Sequence, residues 1–232
     1  PADLRMYPQF GHVYDINSIA VSNDSKYLLS GSRDESFRLW ETETGILLYS
    51  FDAGMEVRAI AFSPDNKLAI LGDLNGQIAV FDLVQKNRIQ LIKTKLGSIR
   101  KSTLKVFPDG RRVLVGYCLN NLHIWDIESG KLIQSLGGDE KRFMNDKSHV
   151  REDVGASAIL PDGLHVVGGY ASGKLKFWNA ETGEQVDEID AHTGHINTIT
   201  LSKDGKSLFS GASDGVKQWN IQSKQLLRQY SN

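Results

Sequence analysis

Two sets of side chains in this 232-residue sequence have the types and spacing of reactive groups. His12, Ser30 and Asp34 recur with the same separations as His192, Ser210 and Asp214. A serine, a histidine and an aspartate are a nucleophile, a general base and the group that orients the base. They are equally the parts of a structural relay, in which a buried hydroxyl accepts an indole N–H and is held by a histidine that a carboxylate fixes. A tryptophan follows each set, Trp40 and Trp219, and nothing nearby suggests a cleft or an oxyanion hole, so the structural reading is preferred. His192-Thr193-Gly194-His195 brings two imidazoles close in sequence, but no cysteine or third ligand completes a metal site. No glycine-rich phosphate loop ending in Lys-Ser or Lys-Thr occurs. No catalytic residue, metal ligand or cofactor site is assigned, and the chain reads as a non-enzyme.

Charge narrows the partners. There are 27 Lys and Arg against 28 Asp and Glu, a net charge of −1, which argues against a protein that coats a polyanion. Lys93, Lys95, Arg100, Lys101 and Lys105 form a basic run without an acid. It lacks the interleaved aromatics of a nucleic-acid platform, so it reads first as solvated edge charge. The single cysteine, Cys118, forms no internal disulfide and is compatible with a reducing compartment. No apolar run approaches the roughly 18–20 residues that span a bilayer. The expected location is the cytoplasm.

The elements that must position these residues repeat. Trp40, Phe81, Trp125, Trp178 and Trp219 are each followed by an acidic or amide residue, at steps of 41, 44, 53 and 41 residues. Ahead of each lie two turns, such as Ser63-Pro64-Asp65 and Leu74-Asn75-Gly76, separated by a β-rich run. Short strands at regular spacing with turn signals predict an all-β fold, and a period of about 40–45 residues is that of a four-stranded propeller blade. The repeats run approximately over 4–45, 46–86, 87–130, 131–183 and 184–224, with a further outer strand at 225–230, in one β-propeller domain or portion of one over 1–232. The long step leaves a polar insertion at 138–152, a mobile excursion or a docking arm.

Gly11-His12 through Ile16, Ile19, Ser30-Gly31-Ser32-Arg33-Asp34 and Leu39-Trp40 to Gly45 resembles the WD-repeat β-propeller family, and the resemblance extends over essentially the whole chain. It implies hydrogen-bonded chains through His12, Ser30, Asp34 and Trp40, and through His192, Ser210, Asp214 and Trp219. The middle repeats depart from it. Leu71 and Asn75, Val115 and Leu119, and Gly168 and Ser172 replace the polar partners, so apolar packing alone is expected to hold those blades. The fifth repeat is one residue short between Asp214 and Trp219, which predicts a bulge or a tightened turn.

Six outer-strand candidates, the first at Leu4–Phe10, stand against five sets of three inner strands. The expectation is a portion of a larger, seven-bladed propeller, with the remaining blades or neighbouring domains outside this sequence; a closed five-bladed ring is the alternative. In such propellers the loops before the inner strand and the turns before the aromatic strand share one face. Tyr14, Arg33, Met55, Leu74 and Ile99 fall there and are the candidate partner-binding residues. The resemblance implies a scaffold or adaptor that binds a protein or peptide, with no membrane and no nucleic-acid partner. A sensor or autoinhibitory domain of a larger signalling protein is the alternative.

Overall fold

The computed structural model describes residues 11–118, 122–137 and 153–230. Among them every regular element is a strand. The strands make five antiparallel sheets of four, each assembled from consecutive elements. Sheet 1 contains β1 (Ile16–Val21), β2 (Tyr27–Ser32), β3 (Ser36–Glu41) and β4 (Leu47–Asp52). Sheet 2 contains β5 (Ala59–Phe62), β6 (Leu68–Gly72), β7 (Gln77–Asp82) and β8 (Asn87–Lys93). Sheet 3 contains β9 (Lys105–Val106), β10 (Arg112–Gly116), β11 (Leu122–Asp126) and β12 (Leu132–Leu136). Sheet 4 contains β13 (Val154–Ile159), β14 (His165–Tyr170), β15 (Lys174–Asn179) and β16 (Gln185–Asp190). Sheet 5 contains β17 (Thr198–Leu201), β18 (Ser207–Ala212), β19 (Gly215–Asn220) and β20 (Leu226–Tyr230). Residues beside β1, β5, β9, β13 and β17 together line one central channel of about 400 Å³, so the sheets form a five-bladed β-propeller. The strand expected at Leu4–Phe10 and the insertion at 138–152 lie outside the described residues.

Local chemistry sets the hairpins. In the first turn of sheets 1, 2 and 5 a serine hydroxyl donates to the aspartate two residues on: Ser22 to Asp24 at 2.6 Å, Ser63 to Asp65 at 2.6 Å and Ser202 to Asp204 at 2.5 Å. Each serine oxygen also accepts the N–H that opens the next strand, at 2.9 Å. Such Asx and Ser turns offer the backbone a local partner where a strand must reverse. In every sheet the pairing of the third strand with the fourth slips by one residue at the repeat aromatic. The fifth repeat absorbs its missing residue between β18 and β19, where Ala212 pairs directly with Gly215, at φ 111°.

Four apolar clusters occupy the spaces between successive sheets. Between sheets 1 and 2 lie Leu29, Phe37, Phe51, Val57, Leu71 and Phe81. The Phe37 and Phe51 rings stack at 4.4 Å, with Phe81 edge-on to Phe37 at 4.9 Å. Ile70, Ile78, Ile99, Val113 and Trp125 fill the next junction, then Leu114, Ile124, Val166 and Trp178, then Val167, Phe177, Ile196, Leu208 and Trp219. One contact recurs. An aliphatic side chain ahead of an inner strand sits over a glycine near the end of the second strand of the preceding sheet. At Gly169 an added Cβ would stand 2.5 Å from Ile196 Cγ2 and 3.0 Å from Ile199 Cδ1. Gly169→Ala therefore overpacks the junction between sheets 4 and 5, with an expected loss of about 1–3 kcal/mol. Gly11→Ala, with open space around its Cβ, serves as the neutral control. Urea denaturation of the two variants checks the difference.

Candidate functional site

The first repeat brings its four polar residues together. His12 Nδ1 lies 2.9 Å from Asp34 and Nε2 lies 2.7 Å from Ser30 Oγ, which also accepts the Trp40 indole N–H at 2.8 Å. A serine oxygen that accepts from tryptophan gives its own proton to Nε2, which leaves Nδ1 to donate to the carboxylate. Burial works against the Asp34 charge, but the Ser36 hydroxyl, His12 and the Val13 N–H outweigh it and hold the carboxyl well below its ordinary range. The fifth repeat repeats the pattern, with His192 Nε2 2.7 Å from Ser210 Oγ and Trp219 Nε1 donating to that oxygen at 2.9 Å. There the hydrogen bond from His192 is the main reason the Asp214 carboxyl is held low. Ser30 and Ser210 are buried, and each oxygen is engaged on both sides. This arrangement braces a blade and offers no nucleophile to a substrate.

The middle sheets solve the same problem differently. Phe81 needs no acceptor. The Trp125 and Trp178 indole N–H groups have no hydrogen-bond partner among the described residues. Beside each stands a fully buried tyrosine that the sequence reading passed over, Tyr117 and Tyr170. Gly168 occupies the position of Ser30, and its missing side chain leaves the space that Tyr170 fills. A Cβ there would meet the ring at 2.9 Å and its hydroxyl at 3.1 Å. Burial pushes the Tyr117 phenol above its ordinary range, with Thr94 and Trp125 as its polar neighbours. Apolar packing is thus supplemented by two tyrosines.

The proposed binding residues separate into two groups. Tyr14, Arg33 and Leu74 are exposed. Met55 and Ile99 are buried, so they are corrected from surface to core. Ile99 sits over Gly72, whose Cβ would be 2.9 Å from it, and Met55 belongs to the cluster between sheets 1 and 2. Tyr14 and Arg33 are neighbours. The Tyr14 carbonyl accepts the Ser32 hydroxyl at 3.3 Å, and the Arg33 N–H donates to the Asp15 carbonyl at 3.0 Å. Arg33 also reaches Glu56 of the next repeat at 3.8 Å. Two arginines join this set. The Arg58 N–H donates to the Gly72 carbonyl at 2.8 Å and the Arg100 N–H to the Gly116 carbonyl at 2.9 Å, so the two hold equivalent stations ahead of the inner strands of sheets 2 and 3. Both are half-buried, and Arg100 pairs with Asp153. Arg100 stood in the basic run; aligning the residues that precede each inner strand would have found Arg58. Among the described residues no group of three or more His, Cys, Asp or Glu side chains could hold a metal ion.

The WD domain, G-beta repeat family model matches residues 5–41 and 183–220. With five four-stranded sheets around one channel, this decides the family. The chain is a WD-repeat β-propeller. This WD-repeat chain is 24% identical to the periodic tryptophan protein 2 homolog of Dictyostelium discoideum over 94% of its own length and 23% of that protein. It is 29% identical to the small ribosomal subunit protein RACK1 of Neurospora crassa over 51% of this chain and 40% of that one. With eukaryotic translation initiation factor 3 subunit I of Candida albicans it shares 27% identity over 88% of this chain and 77% of that one. The propeller spans 23% to 40% of the length of the first four relatives. No helix among the described residues is long and apolar enough to cross a membrane.

His123 gives the propeller a pH dependence. It is buried on β11, 3.1 Å from Ser135 Oγ and edge-on to Tyr117 at 5.5 Å. Burial pulls its imidazole from the ordinary 6.5 down to about 4. Between those values the unfolded chain binds a proton that the folded chain does not, so stability falls as pH falls through that window and the loss levels off below it. His123→Phe keeps a ring beside Tyr117 and is expected to remove this component, on the order of 3 kcal/mol at full extent. Urea midpoints measured across the window for both proteins test it.

Proposed function

We propose that the chain is a non-enzymatic scaffold or adaptor that holds a protein or peptide partner against the face bearing Tyr14, Arg33 and Leu74. The observation that carries this reading is the exposed pair Tyr14 and Arg33, fixed to each other through the Ser32 and Asp15 hydrogen bonds and tied to sheet 2 through Glu56. An exposed aromatic and an arginine, carried on backbone that these hydrogen bonds pin, are of the residue types that dominate interface energies. Half-buried Arg58 extends the surface with a guanidinium group, which suits a partner segment carrying an acid, while Arg100 is already engaged by Asp153. WD-repeat relatives support the role. One is named MST50-interacting protein 11 and another serine-threonine kinase receptor-associated protein, at 29% and 24% identity. The engaged, buried serines favour binding over catalysis. A cytoplasmic location goes with this proposal, on the strength of relatives named as ribosomal and translation-factor subunits.

A sensor or autoinhibitory role within a larger signalling protein is the second reading. It rests on the small share of the first relatives that the chain spans. Affinity capture from cell extract tests the first reading. Tyr14→Ala with Arg33→Ala should lower retention of the captured protein by about tenfold, while Leu227→Ala on the outermost strand should leave it unchanged. Equal retention by all three proteins would remove the proposed face.

A further inference from the structure

One station of the inner strands is filled differently in sheet 3. In each sheet a residue of the second strand lies opposite the repeat aromatic. The next residue along pairs with the inner strand, and its partners in sheets 1 to 5 are Ala20, Ala61, Lys105, Ala158 and Thr200. Where its counterparts are small, β9 carries a lysine.

Strand alternation fixes which way Lys105 faces. Leu104 is buried in the cluster between sheets 2 and 3, where a Cβ on Gly72 would stand 3.2 Å from its Cδ1. Successive side chains of a strand point to opposite faces, so Lys105 points away from sheet 2 and toward sheet 4. Its alanine counterparts also face the following sheet. Ala20 packs against the cluster between sheets 1 and 2, Ala61 against the one between sheets 2 and 3, and Ala158 lies within the one between sheets 4 and 5. The cluster between sheets 3 and 4 takes in no residue of β9.

Lys105 lines the central channel, and it is the only charged residue that does. Most of its neighbours on the channel wall are aliphatic, Ile60, Val106, Ile159 and Leu201 among them. Lys105 is half-buried and has no hydrogen bond or ion pair among the described residues. Burial alone holds its amine below the ordinary lysine range, and no carboxylate offsets that effect. A cation among apolar groups is costly until an anion joins it. At about 400 Å³ the channel has the volume of a small-molecule site, which runs from about 300 to 1,000 Å³.

We propose that the channel binds a linear aliphatic carboxylate, with its headgroup on the Lys105 amine and its chain along the aliphatic walls. Charge complementarity selects the headgroup, because the lining offers one cation and no anion. The walls select the chain, since Asn23 and Thr200 are the only other polar side chains among them. A dicarboxylate or a phosphate dianion would bring a second charge that nothing in the lining meets. The site shares no residue with the proposed partner face, so either can fail without the other.

Calorimetric titration with decanoate, below the concentration at which it forms micelles, tests the site. The expected result is one bound decanoate per chain, with decanol, which has the same chain and no charge, binding about tenfold more weakly or worse. Lys105→Met should weaken decanoate by a similar factor and leave decanol unchanged, while Lys105→Arg retains decanoate binding. Lys101→Met, at an exposed lysine nearby in sequence, should change nothing. Absence of decanoate binding overturns the proposal. So does equal binding of decanoate and decanol by the unsubstituted chain, a comparison that needs no variant to fold. Undiminished decanoate binding by Lys105→Met overturns it too, because the acid would then be partitioning onto exposed apolar side chains. Equal losses in Lys105→Met and Lys101→Met would overturn it as well, marking general charge attraction in place of a site.

Discussion

The structure depends on the apolar contact between one sheet and the next. A four-stranded sheet has two faces and cannot bury either alone, so each must borrow a surface from its neighbours. Here the borrowing has a fixed form. A glycine near the end of a second strand leaves a seat, and an aliphatic residue ahead of the next inner strand fills it. The backbone–side-chain approach is close because glycine has no Cβ, and that closeness lets the inner strands converge on the channel while the outer strands splay. Branched aliphatics suit the seat, since their stiff side chains lose little freedom when packed there.

The polar relays fall in the sheets that this packing supports least. Among the described residues, sheets 2, 3 and 4 have an apolar cluster on both sides, whereas sheets 1 and 5 have one each. Sheets 1 and 5 carry the His–Ser–Trp chains, which tie the loop before the inner strand to the third strand from within a single blade. The middle sheets have lost those chains and use Phe81 or a buried tyrosine beside the tryptophan. A hydrogen-bond relay stabilises a blade without a neighbour, while apolar volume is effective only against one.

Much of this was legible in the sequence because it is periodic. The spacing of the aromatics, the turn residues ahead of them and the His12 and His192 sets mark the blades, and the short fifth repeat forecasts a change in the Asp214 turn. Exposure was not legible, because it depends on contacts across blades. Met55 and Ile99 stand ahead of inner strands, in loops equivalent to the one that presents Tyr14 to solvent, yet a glycine on the neighbouring sheet draws Ile99 inward. Tyr170 was hidden for a related reason: only the absence of a side chain at Gly168, two residues earlier, makes room for it. Arg58 gives no motif, and its equivalence with Arg100 emerges only once both N–H groups are seen on the carbonyls of Gly72 and Gly116.

If filled junctions set the stability of each blade, amide exchange resolved by strand should rank the inner strands by their neighbours. In the 232-residue chain, β5 and β13, with clusters on both sides, should exchange markedly more slowly than β1, whose leading face carries exposed Ile16, Ile19 and Val21. Equal protection of β1, β5 and β13 would contradict the account, because the strand without a filled junction would then be held as firmly as those that have two.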